Sequence, residues 1–381
     1  MAKSFFRPRS ERVIEDVKNN HFFHTPSQRH YQMTQRDERL SFKRYQLDTA
    51  GKPINVFEQE VAWILGSGAT SRTYLYQTEG GELYQLPLAW YSQTLRWGMA
   101  HGFDTAQHQG VQRRVRRECM FYHNAYPNVS EGSDAYAASQ VFPKDLPEGL
   151  GCQRCHGPGA EHARVAFGGK VVLEQVRATI VNPGRLEPQR RDDVCAQCHL
   201  QPTVALPGLR RFGRGDYSYR PGQSLAGYFV HMDIEEAGQE RSERFEINHH
   251  FYRLRQSPCF LKSQAALNCL TCHDPHRKVP KAQRVTHYRT ACLGCHDAKR
   301  HPPLSKQHIA QSAPHAVRAA QDGPGFSIES SDCVACHMPR RRTQDVIQVV
   351  MTDHLIQRQP GETSFSSGLK RRSRSSKSSS F

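Results

Sequence analysis

The sequence predicts a mainly α fold with long loops, preceded by a small antiparallel β module at the N-terminus. Three observations carry that expectation. Hydrophobic residues make up only 37% of the 381 residues, too few for an ordinary apolar core to fill the molecule. Beyond residue 113, short helical stretches end on a repeated cysteine–histidine pattern and are separated by Gly- and Pro-rich connections such as Gln201 to Gly222. The first hundred residues instead alternate apolar and polar positions.

The alternation is clearest from Leu40 to Tyr45 and from Val56 to Val61. Thr73 to Thr78, then Glu79-Gly80-Gly81, then Leu83 to Pro87 reads as a hairpin. Gly66-Ser67-Gly68 reads as a turn rather than a nucleotide loop. Helices are expected from Glu187 to His199 and from Lys281 to Cys295. Three regions follow: a β-rich module over 1–112, a motif-bearing region over 113–360, and a disordered basic Ser-rich tail over 361–381. No run of 18 apolar residues occurs, so no transmembrane segment is predicted. The opening Met1 to Ser10 lacks the apolar stretch of a signal peptide. A formal net charge of +16 favours an acidic partner.

The twelve cysteines carry the functional argument. Ten form five C-x-x-C pairs, each followed by histidine: Cys152/Cys155/His156, Cys195/Cys198/His199, Cys269/Cys272/His273, Cys292/Cys295/His296 and Cys333/Cys336/His337. With 21 histidines in the chain, a histidine at one given position has a chance of roughly one in twenty, so five coincidences are not credible. C-x-x-C-H is the pattern of c-type haem attachment. Residues i, i+3 and i+4 share one face of a helical turn. Two thiols there reach the two vinyl groups on one porphyrin edge, and the imidazole reaches the iron. Zinc sites also use C-x-x-C pairs, but they do not require a histidine after each, and five pairs fit four-cysteine sites poorly. The expected cofactor is haem c, five per chain. The five motifs lie between residues 152 and 337, too close together for each haem to own a protein core. Packed haems would then form the core, and the apo protein is expected to be largely unstructured.

A sixth element, Cys119-Met-Phe-Tyr122-His123, has tyrosine where the second cysteine would stand. One thioether plus His123 could hold a sixth haem, or the site is dead. Cys259 is either a buried small hydrophobe or a disulfide partner for Cys119. The remaining histidines suffice to give every iron a second imidazole. The leading candidates are His162, His276, His287 and His354, followed by His231 and His308; His249, His250, His301 and His315 stay open. Met338, directly after the last motif, reads as packing rather than as an axial thioether. Arg113, Arg114, Arg116 and Arg117, or Arg210, Arg211 and Arg214, could pair with propionates or form a solvated basic face.

These residues resemble bacterial multihaem cytochromes c related to the tetrahaem electron carrier of ammonia oxidisers, in the branch often fused to tetratricopeptide repeats. The likeness spans roughly residues 50 to 360. It rests on Leu86-Pro-Leu-Ala-Trp90, Cys119 to Pro127, Cys152 to His162, Tyr252 to Ser257, Cys269 to His276, Cys333 to Pro339 and Met351 to His354. The resemblance implies a periplasmic or otherwise exported protein with bis-histidine haems and redox activity. Departures are the absent signal peptide, an absent further C-x-x-C-H, Tyr122, and no repeat array after residue 360. The expectation is a start downstream of the true one, or a decayed gene.

The reading is therefore a mainly α multihaem cytochrome that transfers electrons to or from a redox partner protein, without nucleic acid. The alternatives are an oxidoreductase acting on a small nitrogen or sulfur compound at one open-site haem, a colourless zinc scaffold, and a truncated non-functional relative.

Overall fold

The computed structural model describes residues 4–129, 135, 137–169, 172–200, 210–232, 240, 244–296, 332–346 and 348–358. His301, His308, His315 and the tail over 361–381 lie outside the described residues. The chain divides into two units: Met1–Tyr252 with Asn268–Leu270 and Thr343–Val349, and Arg253–Leu267 with Thr271–Arg342 and Val350–Phe381.

The first unit opens with two antiparallel sheets. One runs β1 (Phe5–Phe6), β6 (Trp63–Leu65), β7 (Ser71–Gln77), β8 (Leu83–Tyr91) and β10 (Arg113–Arg114), with β9 (Arg96–Met99) also on β8. The other is the meander β2 (His21–His24), β3 (Arg29–Arg36), β4 (Arg39–Leu47) and β5 (Pro53–Glu60). The strand period of two sets which side chains go inward. Tyr31 and Met33 on β3 and Leu40 and Phe42 on β4 are all buried, with Met33 opposite Phe42. In the larger sheet Phe5 stacks on Trp63 at 4.6 Å, and Trp90 meets Trp97 edge-on at 5.1 Å. The hairpin expected around Gly80-Gly81 is present as β7 paired with β8. The Gly66-Ser67-Gly68 turn joins β6 to β7. Gly66 sits at φ +110°, and a Cβ there would come within 2.5 Å of the Ser71 carbonyl oxygen, so only glycine fits.

A buried polar cluster ties the start of the chain to this sheet. The Arg72 guanidinium lies 3.1 Å from both Glu15 carboxylate oxygens, and the Tyr74 hydroxyl donates to Glu15 at 2.8 Å.

Beyond β10 the helices are short: α1 (Arg117–His123), α2 (Gln153–His156), α3 (Ala160–Ala166), α4 (Leu173–Ala178), α5 (Pro188–His199), α6 (His250–Arg255), α7 (Pro258–Lys262), α8 (Cys269–Cys272), α9 (Arg284–Leu293) and α10 (Cys333–His337). Glu187 caps α5 by accepting from the Gln189 and Arg190 backbone N–H groups, so this helix starts where expected. The expected helix from Lys281 to Cys295 resolves into a 3-10 turn over Lys281–Gln283 followed by α9, which stops at Leu293. A two-stranded ribbon, β11 (Arg340–Arg342) with β12 (Val350–Thr352), follows α10.

The mainly α expectation is therefore wrong. Among the described residues helix accounts for 28% and strand for 22%, with antiparallel sheets running from residue 5 to 100. The physical reason is where the apolar surface lies. The aromatic-rich first hundred residues bury themselves as sheets, while most helices after residue 113 span only one to three turns.

Candidate functional site

Each cysteine–histidine motif sits on or at the end of a short helix. In the first, Cys152 precedes α2, which carries Cys155 and His156. His156 Nδ1 lies 2.7 Å from the Val181 carbonyl oxygen, and the Val181 N–H donates to the His156 carbonyl at 3.1 Å. The fifth motif repeats this arrangement. His337 Nδ1 lies 2.8 Å from the Gln357 carbonyl oxygen, and the Gln357 N–H returns to the His337 carbonyl at 3.0 Å. A carbonyl partner places the ring proton on Nδ1 and the lone pair on Nε2, the nitrogen a metal takes. Gly157 ends α2 at φ +80°, which frees the chain to turn toward α3.

The second motif closes α5 with Cys195, Cys198 and His199. Cys195 hydrogen-bonds Cys269, the first cysteine of the third motif. That bond raises the Cys195 thiol and lowers Cys269. Burial pushes Cys198 up to about 11. The His199 and His250 rings stand 5.1 Å apart, nearly perpendicular.

In the third motif, the His273 and His354 rings lie 6.2 Å apart at 31°. Burial, with His287 second, lowers the His273 pKa. The fourth and fifth motifs meet through a hydrogen bond between Cys292 and Cys333. It raises Cys292 and holds Cys333 at about 7. None of the twelve cysteines forms a disulfide, Cys119 and Cys259 included.

At the fourth motif His296 is exposed, as is Cys295 before it, and the third-motif His273 is exposed as well. The helix α9 ends inside this motif. Gly294 is a poor helix former, and the helix stops one residue before it. Beyond that point the motif keeps its turn through one acceptor: the Cys292 carbonyl takes the Cys295 N–H at 3.1 Å and the His296 N–H at 3.0 Å. The backbone spacing of the motif survives there.

The other candidates divide. His162 Nδ1 is 3.1 Å from both the Val176 carbonyl and the Thr179 hydroxyl. His354 Nδ1 lies 3.1 Å from the Thr352 carbonyl. His287 instead presents Nε2 to the Cys272 carbonyl at 3.1 Å. His276 is exposed beside Asp274, at 3.4 Å. His231 Nε2 is buried without a hydrogen bond among the described residues, and burial lowers its pKa. On α1, Cys119 packs against the cluster containing Phe5, Trp63 and Met120. Burial holds His123 at about 4 and raises Tyr122, whose next neighbour is Cys198. The arginine clusters find protein partners. Arg113 bonds the His101 and Gly102 carbonyls, and Arg210 pairs with Asp216 at 3.0 Å.

Four supporting residues escaped sequence reasoning. Arg253, almost fully buried, grips Asp353 in a fork at 2.9 and 2.7 Å, and Arg341 adds a contact at 2.9 Å. Ser257 donates to the His354 carbonyl at 3.3 Å and accepts from the Ile356 N–H at 2.8 Å. Together they fix the backbone at His354. The signal was available in the segments Tyr252 to Ser257 and Met351 to His354, where charge complementarity links Arg253 to Asp353.

These side chains fit haem c. The thiols and imidazole of each motif share a helical turn. Two imidazoles binding one metal from opposite sides have ring centres about 6 Å apart, given metal–nitrogen distances of about 2 Å. His273 and His354 match that spacing. A family model described as a doubled C-x-x-C-H motif matches residues 263–301, which hold the third and fourth motifs. No curated protein and no solved structure matches the chain. The paired motifs support a multihaem c-type cytochrome with covalently bound haem c and iron, suited to electron transfer.

Proposed function

We propose that this chain is an exported, periplasmic electron-transfer cytochrome with five haems. The attachment residues are Cys152/Cys155, Cys195/Cys198, Cys269/Cys272, Cys292/Cys295 and Cys333/Cys336, with His156, His199, His273, His296 and His337 as proximal ligands. At the fourth motif the exposed His296 would be covered by the haem it binds rather than by the polypeptide. The observation that carries the reading is the pairing of motifs through their thiols, Cys195 with Cys269 and Cys292 with Cys333. Such closeness suits short electron hops. When bound, haem supplies one-electron chemistry at iron. The chain's own residues set the geometry. His156 and His337 are held by backbone carbonyls, and His354, 6.2 Å from His273, would supply the second imidazole to the haem held there. His250 lies beside His199 at 5.1 Å, closer than two imidazoles on one metal would stand, and would have to shift to serve the second haem. His162 is the distal candidate for the remaining ligand near the first motif, because its Nδ1 proton is already committed. Bis-histidine ligation closes the iron to substrate and favours a carrier over an enzyme. Kinship with the tetrahaem carrier of ammonia oxidisers rests on the motif segments given above, and the redox partner is a protein.

The test is expression with an export signal in a host that matures c-type cytochromes, followed by intact mass and pyridine haemochrome analysis. Five haems per chain are expected. A sixth would assign Cys119 and His123 to attachment. A colourless product with the mass of the bare polypeptide would overturn the reading.

A further inference from the structure

Arg154 stands between the two cysteines of the first motif, and its side chain is almost fully buried, at 2% exposure. Its Nη2 donates to the Phe121 carbonyl at 2.7 Å. Its guanidinium carbon lies 3.8 Å from the centre of the Phe121 ring and 5.0 Å from that of Tyr126. Nε and Nη1 are buried with no hydrogen-bond partner, and no carboxylate pairs with it among the described residues. The thiols beside it are Cys155 of its own motif and Cys198 of the second motif. A buried cation with no counter-ion is costly. The aromatic faces, one carbonyl and a hydrogen bond to the Cys198 thiol offset part of that cost. They leave the positive charge unneutralised.

Gln197 occupies the same place within the second motif that Arg154 occupies within the first. It too is buried, and its Nε2 donates to the Arg154 carbonyl at 3.0 Å. The corresponding positions of the other motifs are Thr271, Gly294 and Ala335, none of them charged. Among these five positions only the first carries a charge.

We infer that Arg154 is a potential-setting residue, whose buried charge raises the reduction potential of the haems attached at Cys152/Cys155 and Cys195/Cys198. This rests on the multihaem reading above. Reduction takes one electron from the redox partner protein to a ferric iron, giving ferrous iron, with no bond made or broken. It removes one positive charge near the guanidinium. Repulsion at low dielectric therefore favours the reduced state, and salt screens it little. Arg154 acts through the attached groups rather than by touching a substrate.

The experiment is an optically monitored potentiometric titration of the haem-loaded protein and two variants, R154Q and Q197E. The second keeps the arginine and sets a carboxylate at the contact between the two motifs, against the Arg154 backbone carbonyl. Mass spectrometry of each preparation first establishes the haem count, so an unloaded wild-type chain would count against the multihaem reading itself. In loaded variants, two of the redox waves are expected to move to lower potential, with the other waves unmoved. The expected size is a tenfold or larger change in the ferrous-to-ferric ratio at fixed ambient potential, about 59 mV for a one-electron couple. Should R154Q fail to load, Q197E decides alone. Loaded variants with unmoved waves would overturn the inference, as would a uniform shift of every wave.

Discussion

The sheets over residues 5–114 and the second unit from Arg253 onward are held together by different means. The sheets bury Phe5, Phe6, Tyr31, Phe42, Trp63, Tyr74, Trp90 and other large side chains almost completely. Each such residue contributes about 1.5–3 kcal/mol. In the second unit, Leu254 is the only buried apolar residue among those described, beside the polar Arg253, Ser257 and Asp353. Ordering a residue costs about 1–2 kcal/mol of backbone entropy, so one leucine offsets about two residues. The first region carries its own core. The second carries three of the five motif histidines, the exposed His296 among them, and draws its cohesion from what those motifs bind.

The largest effect that could break this contrast is withholding haem. In a host without the maturation machinery, the strands over 5–114 are expected to keep slow amide exchange. The amides of α7, α9 and α10 should exchange as in an unfolded chain. The general expectation of an unstructured apo protein thus narrows to the motif-bearing part. Protection of α9 and α10 equal to that of β8 in the apo protein would remove the basis of the comparison.

Next in size are the two buried ion-pair clusters, one in each region. Glu15→Gln leaves Arg72 buried without its anion, and breaking such a pair costs about 3–5 kcal/mol. Chemical denaturation followed by the emission of Trp63, Trp90 and Trp97 should register that loss. Asp353→Asn strands Arg253 in the same way, at a similar cost of about 3–5 kcal/mol. Its readout differs, because Asp353 adjoins His354: the haem bound through His273 should change its low-spin spectrum while tryptophan emission stays constant. Acid should mimic this variant. Burial alone would raise the Asp353 pKa, but the Arg253 and Arg341 bonds hold it below its ordinary 3.8. A carboxylate lowered on folding stabilises fully above its ordinary value and loses that contribution as pH falls through the lowered one. The spectral change is therefore expected below about pH 4, and one already complete at pH 6 would exclude Asp353 as its source.

How much of this was legible in the sequence follows the same division. Cys152 to His337 announced the binding chemistry, because thioether attachment demands a fixed local spacing that a single sequence displays. Glu187 announced the start of α5 because a helix cap is also local. The same spacing says nothing about burial, so neither the exposure of His273 and His296 nor the enclosure of Arg154 was legible. The β module was expected over 1–112, but not, beyond the β7–β8 hairpin, which of its strands pair. Its pairing of β1 with β6 and of β10 with β8 joins segments about sixty and thirty residues apart, which alternation alone cannot reveal. The meeting of His273 with His354 is also long-range.

The smallest effect sharpens the comparison at its weakest point, the single helical turn of α10. Asp332 accepts the Ala335 N–H at 3.1 Å and caps a helix of five residues. Removing a cap costs about 1 kcal/mol. In a long packed helix that loss would spread over many contacts. In α10 the same turn presents Cys333, Cys336 and His337, so fraying moves the attachment residues directly. Asp332→Ala is therefore expected to lower thermal stability only slightly in the loaded protein, where the thioether bonds already fix the turn. The same change should slow haem attachment at this motif, read as a transient population lacking one haem by mass during maturation. Equal attachment kinetics in both proteins would show that the turn forms only after its cysteines are bonded.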